Sequence, residues 1–395
     1  LSMEAMLQNA EGNDNGKKLK NNIVALTNSI PILKDLFHVH GKVGEGTFSS
    51  VFLATLKSSK QSKKFALKYL VPTRHPEKIE RELQCMQEIG GKDYVVGLDL
   101  CLRSFETVVF IMPYMRHNKF SEYVQDMTVP ETKDYMIALL TALRRVHKFN
   151  IIHRDVKPSN FLYDRQNKKF LLVDFGLAQE YIAEKKTSSI KPNNSTTHSL
   201  KRKRLDEVKK KKNIVEEKCY CFGKPKVCSI CLLRPEQTAP RAGTPGFRAP
   251  EVLLKYPYQT PAIDIWASGV MMLCILSGTQ PFFHSPDDCT ALAEITTIFG
   301  ASKMQQCAHK LGKKVIFSDD IPGVDIVSLC QKLQKRNKGL LNNICTEKIF
   351  IKYFKVSSEN RFPKEAYDLL IRLLDLDYKT RLSADQALNH PFLKL

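Results

Sequence analysis

No uninterrupted apolar stretch in this chain approaches the ~20 residues that a helix needs to cross a bilayer, so an integral membrane protein is not expected. The opening Leu1-Ser2-Met3 lacks a basic, then apolar, then small-residue pattern, so no secretory signal is expected either. Without one, the 11 cysteines read as reduced thiols or metal ligands rather than a disulfide framework. There is no internal repeat, which removes solenoid and propeller architectures from consideration. Acidic residues are scarce, 41 against 61 Lys and Arg. What is present is ordinary for a globular protein. With 43% hydrophobic and 26% charged residues, the 395-residue chain can bury a sizeable core, as one large two-lobed domain or as two to three smaller ones.

The net charge of +20 is unevenly spread. Between Lys185 and Asn213 stand eleven Lys or Arg and two acids, a local excess of nine. A uniformly basic fold would suggest a nucleic-acid surface; one concentrated run reads as a solvated loop or a targeting signal. Lys201-Arg202-Lys203-Arg204 and Lys209 to Lys212 suit recognition by nuclear import factors, whereas direct DNA binding is not expected.

Residues 1–30 are polar and Asn-rich, and read as a flexible leader. Strands are predicted from Phe37 to Val43, Val51 to Leu56, Phe65 to Leu70 and Val108 to Met112. Apolar spacing predicts helices at 77–90 and from Tyr135 to His147. A small β-rich lobe over 31–115 therefore gives way to a larger helical lobe over 116–395. Two stretches break the pattern: a charged insertion at about 180–240 and an irregular one at about 301–360.

Chemistry concentrates in a few segments. Gly44-Glu45-Gly46-Thr47-Phe48-Ser49 lies between strands, where missing Cβ atoms let backbone amides approach a phosphate. A strand follows, which argues against the Rossmann and P-loop arrangements; a hairpin that needs glycine is the plainer alternative. Lys68, inside an apolar strand, is costly to bury without a partner, and Glu82 on the next helix could serve. His153-Arg154-Asp155-Val156-Lys157-Pro158-Ser159-Asn160 offers an acceptor, a cation and an amide oxygen in one turn. These are the parts needed to take a hydroxyl proton, hold a phosphate and bind a metal. Asp174-Phe175-Gly176 puts a carboxylate at a strand end, suited to Mg²⁺. Farther on come Gly243 to Glu251, Asp264-Ile265-Trp266-Ala267-Ser268-Gly269, and Arg381, a candidate ion-pair partner of Glu251.

Taken in order, these motifs resemble a eukaryotic protein kinase over roughly residues 36–395. The resemblance implies an α+β bilobal fold, with a small antiparallel sheet and one helix above a mainly helical lobe. It places Val43, Gly44, Glu45 and Gly46 over the nucleotide, and Val51, Ala66 and Leu162 around the adenine. Met112 is implied as gatekeeper and Pro113, Tyr114 and Met115 as the hinge. Lys68 would hold the ATP phosphates and pair with Glu82, Asp155 would accept the substrate proton, and Lys157 would neutralise the γ-phosphate. Asn160 and Asp174 would hold Mg²⁺, with two sites possible, and Met86, His153 and Phe175 would stack between the lobes. Lysine at 157 is the serine/threonine-kinase form. The third glycine of the usual loop is replaced by Ser49.

Asp174 and Glu251 are 77 positions apart, so the activation segment holds an insertion. Near its end Cys219, Cys221, Cys228 and Cys231 have a spacing that can surround one structural Zn²⁺; free thiols are the alternative. This insertion, with Lys226 to Cys231 and Ala239 to Glu251, is similar to the cell-division-cycle kinase family whose members are the catalytic subunits of the Dbf-dependent kinase. That resemblance implies a nuclear enzyme activated by a Dbf-family regulatory subunit, with MCM helicase subunits as substrates. Arg241 and Arg248 flank the loop that in kinases receives the residue after the phosphoacceptor, where guanidinium groups would favour an acidic neighbour. Arg248 could instead pair with an acid of the fold. Thr244 is expected to bond Asp155 and Lys157. A casein-kinase-like or cyclin-dependent kinase, and a dead kinase-fold scaffold with a zinc element, are the competing readings.

Overall fold

Period-two alternation in the first half of the chain builds an antiparallel sheet with two different apolar faces. Strands β1 (Phe37–Gly46), β2 (Ser49–Leu56), β3 (Lys64–Leu70), β4 (Leu100–Ser104) and β5 (Thr107–Pro113) pair in the order β1-β2-β3-β5-β4. On β3 and β5, Phe65, Leu67, Val109 and Ile111 pack on the outer face. Leu70, Val108, Phe110 and Met112 face the inner core, with Ala66 against it. The register sets Lys68 between Val51 and Phe110, and Ala66 opposite Met112. A one-residue slip would turn the lysine to the wrong side.

The computed structural model describes residues 14–46, 49–58, 63–71, 76–181, 242–344 and 361–394. Residues 1–181 and 241–395 form one unit, and 182–240 form a second, which falls outside the described residues. The basic run 185–213, the four cysteines at 219–231 and Arg241 therefore fall outside them too.

The expected flexible leader is, from Asp14 on, helical: α1 (Asp14–Ser29) and the short α2 (Ile32–Leu36). Ile23, Leu26, Ile30 and Leu33 recur at helical spacing, and the last three are buried against the outer sheet face. Burying each such side chain is worth roughly 1.5–3 kcal/mol, enough to hold a polar, Asn-rich helix in place. Composition was outweighed here by periodicity.

Helix α3 (Pro76–Glu88) lies between β3 and β4 in sequence and buries Glu82, Cys85 and Met86. The helical lobe follows with α4 (Phe120–Tyr123) and α5 (Val129–Lys148). Thr128 caps α5, its Oγ1 accepting from the Glu131 N–H while the Glu131 carboxylate accepts from the Thr128 N–H. The chain then runs through β6 (Ile151–Ile152), β7 (Phe161–Asp164), β8 (Lys169–Leu172) and β9 (Gln179–Glu180), with β7 and β8 forming a hairpin. After the insertion come α6 (Pro250–Leu253) and α7 (Ala262–Ser277), whose residues from Ile263 to Ser277 are all buried. Gly278, at φ 66°, ends α7 in the left-handed conformation.

The segment 301–360, expected to be irregular, is largely helical where it is described. It contains α9 (Ala301–Lys310) and α10 (Ile326–Ile344), preceded by α8 (Asp288–Phe299). Helices α11 (Lys364–Leu373), α12 (Ala384–Leu388) and α13 (Pro391–Lys394) complete the lobe. Helix α7 packs against α5, α10 and α11. No helix among the described residues is long and apolar enough to cross a membrane.

Six cysteines lie among the described residues, and all are free thiols. Burial pushes the thiols of Cys85, Cys274, Cys307 and Cys330 up to about 12, whereas Cys289 is exposed. Because the thiolate is the reactive form, alkylation of the native protein at pH 8 is expected to modify Cys289 and spare those four. Peptide mass mapping reads the result, and modification of any buried thiol at a comparable rate would contradict this packing.

Candidate active site

The sheet register and α3 together deliver the first part of the site. Lys68 Nζ lies 2.5 Å from Glu82 Oε1 and 2.7 Å from Asp174 Oδ1. Burial alone would lower the lysine pKa, but the two carboxylates outweigh it and hold the ammonium above its ordinary value. For Asp174 burial would raise the pKa, but the Lys68 ammonium and the Gly176 N–H, 3.1 Å away, hold it well below the usual carboxylate range. Asp174 is therefore an anion at neutral pH. Its φ of 70° is unusual for a non-glycine residue and marks a site constrained by its surroundings.

The turn between β6 and β7 delivers the second part. Lys157 Nζ is 2.9 Å from Asp155 Oδ2 and donates to Thr244 Oγ1 at 2.9 Å, while that hydroxyl donates to Asp155 Oδ1 at 3.1 Å. Asn160 Nδ2 donates to the Asp155 carbonyl at 2.9 Å and to Oδ2 at 3.0 Å. Its amide nitrogen being engaged, the amide oxygen remains as a ligand. A carboxylate and an amide oxygen are hard donors of the kind Mg²⁺ prefers, so Asp174 and Asn160 fit that ion.

One cavity of about 580 Å³ joins the two parts. Val43, Gly44, Glu45 and Gly46 form its roof, and Val51, Ala66 and Leu162 its apolar walls. Met112, Pro113, Tyr114 and Met115 edge it, and Lys68, Lys157, Asn160 and Asp174 lie at its polar end. This size and mix suit a nucleotide, with a flat apolar slot leading to charged groups. Residues 47–48 at the tip of the glycine loop lie outside the described residues.

Met86 and Phe175 belong to one apolar core, and the buried His153 ring lies 5.2 Å from the Phe175 ring. The sequence alone assigns Asp264 no role. It is fully buried in α7, where its Oδ2 accepts from the His153 N–H and its Oδ1 from the Arg154 N–H, both at 2.8 Å. His147 Nε2 adds a third contact at 2.9 Å. A carboxylate inside an otherwise apolar 16-residue helix was the available signal. Through Asp264, α7 fixes the backbone just before Asp155. Glu251 and Arg381 form a buried bidentate pair at 2.7 and 3.0 Å, which anchors α6 beneath the site.

Two further features concern the 242–248 segment. Gly243, at φ 90°, crosses the catalytic turn so closely that a Cβ would lie 2.6 Å from the Arg154 carbonyl oxygen. Gly243→Ala is therefore expected to displace Thr244 and cut kcat by at least tenfold, with overall helix content unchanged by circular dichroism. Arg248 has its guanidinium engaged inside the fold. It is ion-paired with Asp288 and holds the Gly243 carbonyl through Nε at 3.0 Å and Nη2 at 2.5 Å. Of the two roles the sequence offered, the internal partner is present because α8 brings Asp288 alongside.

Comparison with known proteins agrees with this geometry. The protein kinase domain profile matches residues 37–199 and 228–393. The human Cell division cycle 7-related protein kinase is 33% identical, the alignment covering 99% of this chain and 95% of that protein. The chain belongs to this kinase family. The Cell cycle serine/threonine-protein kinase hsk1 of Schizosaccharomyces pombe is 33% identical over 94% of this chain and 75% of its own length. A non-specific serine/threonine protein kinase of Drosophila melanogaster is 35% identical over 93% and 70%. This cell-division-cycle kinase is thus a serine/threonine kinase that uses ATP and Mg²⁺. Zinc stands apart. Among the described residues no three His, Cys, Asp or Glu side chains gather as a metal cluster, and the four cysteines lie outside them.

Proposed function

We propose that this kinase is the catalytic subunit of a Dbf-dependent kinase, which phosphorylates Ser or Thr beside acidic residues on MCM helicase subunits in the nucleus and so triggers origin firing. The observation that carries the catalytic part is one cavity lined by Lys68, Glu82, Asp174, Asn160 and Lys157, with Lys157 bonded in turn to Asp155 and Thr244. Asp155 takes the proton of the acceptor hydroxyl as that oxygen bonds to the γ-phosphorus. The bond from the γ-phosphorus to the bridging oxygen breaks, and ADP leaves with the electron pair. Lys68, steered by Glu82, holds the α- and β-phosphates, and Lys157 faces the transferring group. Asn160 and Asp174 would hold Mg²⁺, which when bound would supply positive charge beside the phosphates. No covalent enzyme intermediate is required.

The regulatory part rests on family membership and on the inserted segment between Tyr181 and Ala242. The basic run at 201–212 would be read by import factors, and Cys219, Cys221, Cys228 and Cys231 would hold one Zn²⁺. The test is phosphotransfer to a purified MCM subunit, with and without a Dbf-type subunit, with a cyclin as comparison and Asp174→Asn as control. Activity that needs the Dbf-type subunit and is lost in Asp174→Asn supports the reading. Activation by the cyclin instead would move the chain to the cyclin-dependent branch. Zinc content of the purified chain, compared with a Cys228→Ser/Cys231→Ser variant, decides the metal.

A further inference from the structure

Apart from the Thr244–Arg248 loop, the charges around the cavity mark a second place where a substrate's charge can be read. Among the described residues the cavity's carboxylates are Glu45, Glu82 and Asp174. Lys42 pairs with Glu45 at 2.8 Å, and Lys68 takes the other two. On the outer lip, just past the hinge, the sequence runs Arg116-His117-Asn118-Lys119, four exposed residues with no acid among them. Lys119 lines the cavity together with Lys157, Ser159 and Gln280.

The lip is held in place. The Asn118 N–H donates to the Tyr163 carbonyl at 2.9 Å, and Asn118 Oδ1 accepts from the Arg165 N–H at 3.3 Å, so β7 and the turn after it anchor the segment. The nearby acids are turned to other donors. Glu122 accepts from the Lys119 backbone N–H at 3.3 Å, and Arg165 engages Asp126 and Glu131 at 3.1 and 2.7 Å. Neither Arg116 nor Lys119 has a carboxylate partner among the described residues.

We infer that Arg116 and Lys119 form a specificity element that selects acidic residues preceding the phosphoacceptor. The inference rests on the proposed kinase reading and deepens it. Lys157 bonds both Asp155 and Thr244 and lines the same cavity as Lys119, so a substrate whose acceptor meets Asp155 and whose following residue lies at Thr244 would leave its preceding residues on the side of this lip. Two unpaired cations there attract carboxylates and repel basic side chains, so the same pair supplies both selection and rejection. These are exposed charges, so the effect is moderate and weakens with salt.

The test uses the full chain with its regulatory subunit and four peptides that share one acceptor serine. One is neutral, one has Asp immediately after the serine, one has three Asp before it, and one has three Lys before it. The wild type is expected to prefer preceding Asp over preceding Lys by about tenfold in kcat/KM at low salt. In Arg116→Glu/Lys119→Glu that ratio should fall to about one or invert, while the ratio of following-Asp to neutral peptide is kept. Lys119→Gln should be intermediate. An unchanged preceding-residue ratio in the double variant overturns the inference, as does an equal loss of both ratios, which would mean a diffuse charge effect. If the wild type shows no preference for following Asp, the acid-directed reading of the Thr244–Arg248 loop fails separately.

Discussion

Asp155→Asn is expected to lower kcat by about three orders of magnitude while leaving ATP affinity within a factor of a few. The side chain keeps its size and can still meet Asn160 and Lys157, so the turn should hold its shape. What disappears is the anion that accepts the hydroxyl proton. The cavity residues proposed to hold ATP, Lys68 and the apolar walls, are not reached by the substitution. Steady-state kinetics with the regulatory subunit, and nucleotide binding followed by fluorescence, measure the two quantities separately. A variant that keeps more than a tenth of wild-type kcat would show that another group takes the proton.

Arg381→Met should cost about 3–5 kcal/mol of stability, because it strands Glu251 as an unpaired buried charge. The guanidinium also donates to the Asp375 and Ala262 carbonyls at 2.8 Å each and lies 5.2 Å from the centre of the Trp266 ring. Glu251→Met/Arg381→Met should recover part of the loss, since replacing both members of a buried pair is far cheaper than removing one. It should not recover all, because the two carbonyls still lose their donor. Urea unfolding midpoints compare the three proteins. A single variant within 1 kcal/mol of wild type would mean that water reaches Glu251.

The cleft was legible in the sequence because its chemistry is packed into short runs. Asp155, Lys157 and Asn160 fall within six positions, and strand alternation alone puts Lys68 on the same face as Ala66 and Met112. Asp264 was harder to read, since its partners are backbone N–H groups more than a hundred residues away that no side-chain pattern reveals. Arg248 illustrates a choice that sequence leaves open: a surface arginine and a buried partner look alike until α8 brings Asp288 alongside. Helices α1 and α2 were hidden by the polar composition of this segment, although Ile23, Leu26, Ile30 and Leu33 kept helical spacing across it.

The packing of this N-terminal segment on the outer sheet face has a practical side. A chain trimmed to begin at the first strand would bare Phe52, Phe65, Val109 and Ile111 together as one greasy surface. Such a fragment would keep every catalytic group and still tend to self-associate, so handling problems in a shortened enzyme need not signal a damaged active centre.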